Sequence, residues 1–220
     1  MVTYAQDVPA EPFSHSPRSE RGAFDAQCDL GALVYQPHEK PDALLRNFAD
    51  GLIAQGRRVV GLVQLGHHCT DEIELSAMML HTGEQLQLFQ DLGTCAKGCK
   101  LDVDRLMRAG GEIADQLARS GADLLIINRF GKHEQEGKGL LFLVEQALSL
   151  DIPVLIAVPD IRFHHWIEVS GGMSVKLPCR SASLQAWFWA ISKNERSERD
   201  HRQTELHRAE LHQTMCEVFK

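Results

Sequence analysis

Long hydrophobic runs are missing from this 220-residue chain: no stretch approaches the roughly 18 apolar residues that a membrane-spanning helix needs. An excess of basic residues is missing too. The 23 lysines and arginines face 30 acids, a formal charge of −7, which argues against extended nucleic-acid binding while leaving room for a local basic pocket. No G-x-S-x-G elbow, no H-E-x-x-H and no pair of E-x-x-H motifs of the di-iron type occurs, so no ready-made nucleophilic or di-metal centre announces itself. The first 28 residues hold no apolar core of a secretory signal; proline, serine and charge dominate, and we read residues 1–28 as a flexible leader. Six cysteines in such a chain are expected to be reduced thiols of a cytoplasmic protein.

What is present is an alternation of short apolar runs with amphipathic ones. "LGALVY" (30–35) reads as a buried strand. "PDALLRNFADGLIAQG" reads as a helix, with Pro41 in its first turn, Gly56 past its end and Leu44, Leu45, Phe48, Leu52 and Ile53 on one stripe. "RRVVGLVQ" supplies a second strand. "IELSAMML" and "EQLQLFQD", joined by "HTGE", read as an antiparallel hairpin.

A helix over about Val103–Arg119 comes next, interrupted by Gly110 and Gly111, each of which costs about 1 kcal/mol relative to alanine. Asp102 and Asp104 at its start serve as an N-cap and a first-turn acid. "DLLIIN" and "IPVLIAV" are nearly all-apolar strands flanking the helix "LLFLVEQALSL", and "MSVKLP" ends the series as a short strand. Strands this apolar, alternating with helices, imply a parallel sheet covered on both faces. The fold class is therefore α/β: a three-layer, partly mixed parallel sheet over residues 29–178 with a hairpin insertion. Residues 179–220 form a C-terminal helical extension, its "SLQAWFWAIS" helix docked through Leu184, Trp187, Phe188 and Ile191. The charged remainder is read as a partner-docking helix and a route to a homo-oligomer, with His201, His207 and His212 on a solvated face.

In open α/β sheets ligands sit beyond the carboxyl ends of the strands. A phosphate loop there would read G-x-x-x-x-G-K-[ST], its glycines letting consecutive amides curl around phosphate. The loop after the first strand is instead "QPHEKPDA": no glycine, two prolines without amides, a glutamate, and Lys40 followed by Pro41. The helix amino terminus still favours an anion. After the central strand, "NRFGKHEQEGKG" puts Asn128 where a magnesium-holding acid would end the strand. Arg129 and Lys132 add cationic donors, and Gly131, Gly137 and Gly139 allow close backbone approach. A third loop, "VPDIRFHHW", carries His164 and His165. The bland alternative for the central loop is a solvated connection whose glycines serve turns.

The segments "LGALVYQ…DALLRNFADGLIAQGRRVVGLVQ", "TCAKGCKLD" and "DLLIINRFGKHEQEGKGL" together resemble a bacterial family of unknown function often encoded beside molybdate-transport genes. The order of elements is more distantly similar to small P-loop nucleoside-triphosphatases, with "NRFGKHE" in the place of a "DEIGKME"-like motif and Asn128 and Arg129 where two acids would stand. The closer resemblance spans about Leu30–Leu177; Lys100 departs from the arginine expected in "GCRLD". It implies a degenerate P-loop fold and a link to molybdenum physiology, not a reaction.

On this basis Gln36, His38, Lys40, Asn128, Arg129, Gly131, Lys132 and Glu134 are the candidate residues for holding a small oxyanion such as molybdate, or a nucleotide, without hydrolysis. The alternative is an active nucleoside-triphosphatase in which Glu134 or Glu136 recruits magnesium. "GHHC" and "CAKGC" offer a further option: His67, His68, Cys69, Cys95 and Cys99 approach the two-pair spacing of a transition-metal site. Against it stand a redox thiol pair and incidental clustering. That third reading makes the chain a metal-binding interaction module.

Overall fold

The computed structural model describes residues 29–65, 76–88 and 101–192. Strand β1 (Leu30–Tyr35) leads through a short loop into helix α1 (Pro41–Ala54), then β2 (Val59–Leu65). The hairpin is built from β3 (Ser76–Met79) and β4 (Gln85–Gln87). Helix α2 (Val103–Ser120), β5 (Leu124–Ile127), the single-turn α3 (Lys132–Gln135), α4 (Leu141–Ser149) and β6 (Val154–Pro159) come next. A 3₁₀ turn at Asp160–Arg162 runs into α5 (Phe163–Val169), then β7 (Val175–Pro178). A last helix, α6, covers 181–192.

The seven strands lie in the order β4-β3-β2-β5-β6-β1-β7. Strands β2, β5, β6, β1 and β7 are mutually parallel, and the hairpin β3–β4 adds antiparallel pairs at one edge. Every parallel strand therefore points its carboxyl end to the same rim.

Period-two alternation divides the core. From β1, Leu30, Ala32 and Val34 face one layer with α2, α4 and α5; Leu33 and Tyr35 face the other with α1 and α6. Strand β6 splits likewise, Val154, Ile156 and Val158 against Leu155 and Ala157. Both faces are dry, so continuous aliphatic runs such as "LLII" are what the geometry demands. No helix among the described residues is long and apolar enough to cross a membrane.

Helix α1 begins at Pro41, whose missing amide is no loss in a first turn. It buries Leu45, Phe48, Ala49 and Leu52, while Ile53 lies on the exposed side of the expected stripe. Asp102 caps α2 by accepting the Arg105 amide at 2.9 Å. Helix α6 buries Leu184, Trp187, Phe188 and Ile191, and Gly31 of β1 leaves the space that Trp187 fills. The "VPDIRFHHW" segment, expected as a loop, is the 3₁₀ turn and α5, whose Trp166 is fully buried against Phe130.

Candidate functional site

The rim gathers the residues at the carboxyl end of each parallel strand: 36–40 after β1, 128–131 after β5, 160–162 after β6 and Cys179 after β7. The first junction folds into a turn. Glu39 donates its amide to the Gln36 carbonyl at 2.9 Å, and the Gln36 amide donates back to a Glu39 carboxylate oxygen at 2.7 Å. A phosphate loop would aim such an amide at a ligand; here the chain supplies its own carboxylate. His38, Lys40 and Gln36 are exposed around it.

Two residues into α1, Asp42 is only 7 % exposed. Arg129, carried past the end of β5, reaches it with both arms of its guanidinium, Nη2 to Oδ2 at 2.6 Å and Nε to Oδ1 at 3.3 Å. This two-point fork is the strong form of the arginine–carboxylate bond. The guanidinium also lies 5.7 Å from the centre of the Tyr35 ring. The sequence offered Arg129 as a donor to a ligand; the fold gives it an internal partner 87 residues away. Asp42 is the site residue that sequence reading missed. Its only signal was an acid in the first turn of the helix beyond the stripped loop.

The electrostatics bind this corner together. Burial, first, raises the Tyr35 hydroxyl pKa; Arg129 opposes that and Asp42 adds to it. The Cys179 thiol is pushed up to about 11, by burial and then by the Glu39 and Asp42 carboxylates. Arg162 hydrogen-bonds Gln135 of α3, bridging the β6 and β5 junctions.

The second junction is anchored differently. Glu134 is 7 % exposed, and its two oxygens accept the amides of Gly131 at 3.0 Å and Leu140 at 3.4 Å. It ties the loop to itself. Gly139 adopts φ +69°, and a Cβ there would collide with a Glu134 carboxylate oxygen. Lys132 is exposed and 4.0 Å from Glu136, which also pairs with Lys138. Asn128 turns toward the β2 side: its Nδ2 donates to Gln64 Oε1 at 3.3 Å, and its buried Oδ1 has no partner among the described residues.

Arg129 thus converges with the β1–α1 junction, whereas Asn128 faces Gln64 and Lys132 stays in solvent. His67, His68, Cys69, Cys95 and Cys99 lie outside the described residues, and among those described no group of three or more histidines, cysteines or acids could hold a metal ion.

Known proteins share this architecture. The structure of THEP1 from the hyperthermophile Aquifex aeolicus superposes with a TM-score of 0.52 at 13 % identity, covering 74 % of this chain and 96 % of that one. The solution structure of a human cancer-related nucleoside triphosphatase gives 0.51 at 12 %, covering 76 % and 97 %. At such identities the likeness establishes the fold, that of the P-loop nucleoside-triphosphatases. A protein of Bradyrhizobium diazoefficiens named "Molybdenum import ATP-binding protein ModC 2" is 36 % identical over 177 residues, a match covering 78 % of this chain and 19 % of that protein. The chain spans about a fifth of that relative's length. Residues 30–187, from β1 into α6, match a family described as "Protein of unknown function (DUF2478)". The chain belongs to that family.

Proposed function

We propose that this is a non-hydrolysing accessory protein that holds a small oxyanion such as molybdate, or the phosphates of a nucleotide, at the strand rim, and serves molybdenum homeostasis by sensing, storage or delivery. One observation carries the non-hydrolysing half: Arg129 clamps Asp42 at the start of α1, where a P-loop would present open amides and a hydroxyl to phosphate and magnesium. A carboxylate at that helix terminus takes the place of the P-loop's grip on a magnesium-bound triphosphate, and Asn128 is a poor ligand for a divalent ion. The binding half rests on the cations of the rim, exposed Lys40 and Lys132 together with Arg162 and Arg129, the last of which an arriving anion takes from Asp42. It rests also on Gln36 and His38, exposed after β1.

The molybdenum link rests on kinship with a molybdenum-import protein, of which this chain matches about a fifth; ATP binding named for that whole protein does not by itself belong to the matched part. The competing hydrolase reading asks Glu134 or Glu136 to recruit magnesium. Both oxygens of Glu134 already accept backbone amides, and Glu136 is paired with two lysines, which disfavours it.

Isothermal titration of the purified protein with molybdate, tungstate, ATP and GTP tests the proposal. Heat with at least one, and no phosphate release from ATP or GTP in magnesium, is the expected result. Silence with all four at about 1 mM, a concentration matching roughly −4.1 kcal/mol of binding, would contradict it. Phosphate release abolished by Glu134→Gln would favour the hydrolase.

A further inference from the structure

We propose that Asp42 and Glu39 are the specificity-determining residues of the rim: tethered carboxylates that occupy the seats of the ligand's oxygens, so that a tetrahedral dianion enters by displacing them and a monocarboxylate does not. This rests on the oxyanion reading above and adds how the same site chooses.

Two donors at the rim are of the kind an arriving anion uses, the amide at the end of β1 and the guanidinium after β5. Each already holds a carboxylate from the β1–α1 junction, Glu39 on the Gln36 amide at 2.7 Å and Asp42 on Arg129 through two bonds. Both acids lie three residues apart at the entry to α1, and the Arg129 guanidinium is 5.7 Å from the centre of the ring of Tyr35, the residue before Gln36, so the two filled seats belong to one corner. Binding at this corner is therefore an exchange of one anion for another.

Exchange sets a threshold. A carboxylate tethered through a few bonds competes at an effective concentration in the millimolar range or above. A free monocarboxylate repeats the interaction it would replace, and gains nothing over its tethered rival. A tetrahedral dianion brings more charge and more acceptor oxygens, enough to meet Arg129, Lys40 and the Gln36 amide at once.

The charge balance points the same way. Glu39 and Asp42 each put a negative charge on a donor that an arriving anion would use. Neutralising either acid removes part of the repulsion that a dianion meets there. The two seats also differ in ease of release. Glu39 is partly exposed on a tight turn, whereas Asp42 is buried and yields Arg129 only to an anion that replaces it.

The test is isothermal titration of full-length wild type, Asp42→Asn and Glu39→Gln with sodium molybdate and sodium acetate, each to about 1 mM. Asp42→Asn is expected to bind molybdate about tenfold tighter than wild type, a change of ~1.4 kcal/mol, and Glu39→Gln about threefold tighter, with acetate silent throughout. Heat with Asp42→Asn but none with wild type also supports the competition, while removing measurable wild-type affinity. Equal affinities in all three proteins overturn the competition and leave the binding reading standing. Silence in all three overturns both. Acetate binding as tightly as molybdate overturns the choice of a dianion. Should Asp42→Asn fail to give a cooperative melt by circular dichroism, Glu39→Gln carries the test, and affinity unchanged from wild type there overturns the proposal.

Discussion

The two strand-to-helix junctions of the rim use the same device to opposite ends. After β1, Glu39 turns back onto the amide three residues before it; after β5, Glu134 turns back onto the Gly131 amide, also three residues before it. Yet Glu134 is buried, accepts a second amide from Leu140 and is walled in by Gly139. Glu39 holds one amide in a partly exposed turn. A carboxylate held by two amides away from water is architecture; one held by a single amide at the surface is exchangeable. Between these two self-capping glutamates, burial and the second amide, more than the shared motif, decide which can let go of its amide unaided. Asp42, buried like Glu134, gives up Arg129 only to an anion that replaces it.

That contrast can be broken from the rigid side first. Gly139→Ala puts a side chain at positive φ and into the Glu134 carboxylate, so a loss of about 3 kcal/mol is expected in urea unfolding. A change below about 1 kcal/mol would show that the loop relaxes freely. Glu134→Gln retains one acceptor and turns an amide group toward a backbone N–H, which is expected to cost about 2 kcal/mol by the same measurement. The matching Glu39→Gln keeps its acceptor for the Gln36 amide and is expected to change stability by less than about 0.5 kcal/mol. Equal losses at positions 134 and 39 would erase the distinction.

A finer probe is alkaline pH. The Cys179 thiol has an ordinary pKa of 9.0 and is pushed up to about 11 in the fold, so the unfolded chain releases its proton first. Above pH 9 the unfolded state binds fewer protons, and stability falls as pH rises from about 9 towards 11. Tyr35, raised from 10.0, acts in the same direction. Melting temperatures of Cys179→Ser should fall less steeply over that window than those of wild type; identical slopes would remove the thiol from the buried corner.

Much of the scaffold is legible because its signals are local. Pro41 opens α1, the turn "HTGE" closes the hairpin, and the aliphatic runs at 124–127 and 154–158 suit only strands covered on both faces. Gly110, an unfavourable residue inside a helix, is there because Leu140 and Phe142 pack where its side chain would stand. Helix α5 is hidden by its short length and by the polar "DIRFHH" that precedes Trp166. At the rim, the stripped loop and the missing acid can be read directly. The Asp42–Arg129 fork cannot, since it joins residues 87 positions apart and exists only once β1, β6 and β5 lie side by side. Likewise, that Glu134 is internal while Glu39 is not depends on the packing of α4, which no spacing reveals.

The clamp across the rim is tested most directly by a double-mutant cycle of Arg129→Gln, Asp42→Asn and the double variant in urea unfolding. With one partner a quarter exposed and the other buried, a coupling of about 2 kcal/mol is expected, each single change costing more than the second change made in its presence. Strictly additive losses would mean that Arg129 and Asp42 do not hold each other in solution, and that the corner stands open.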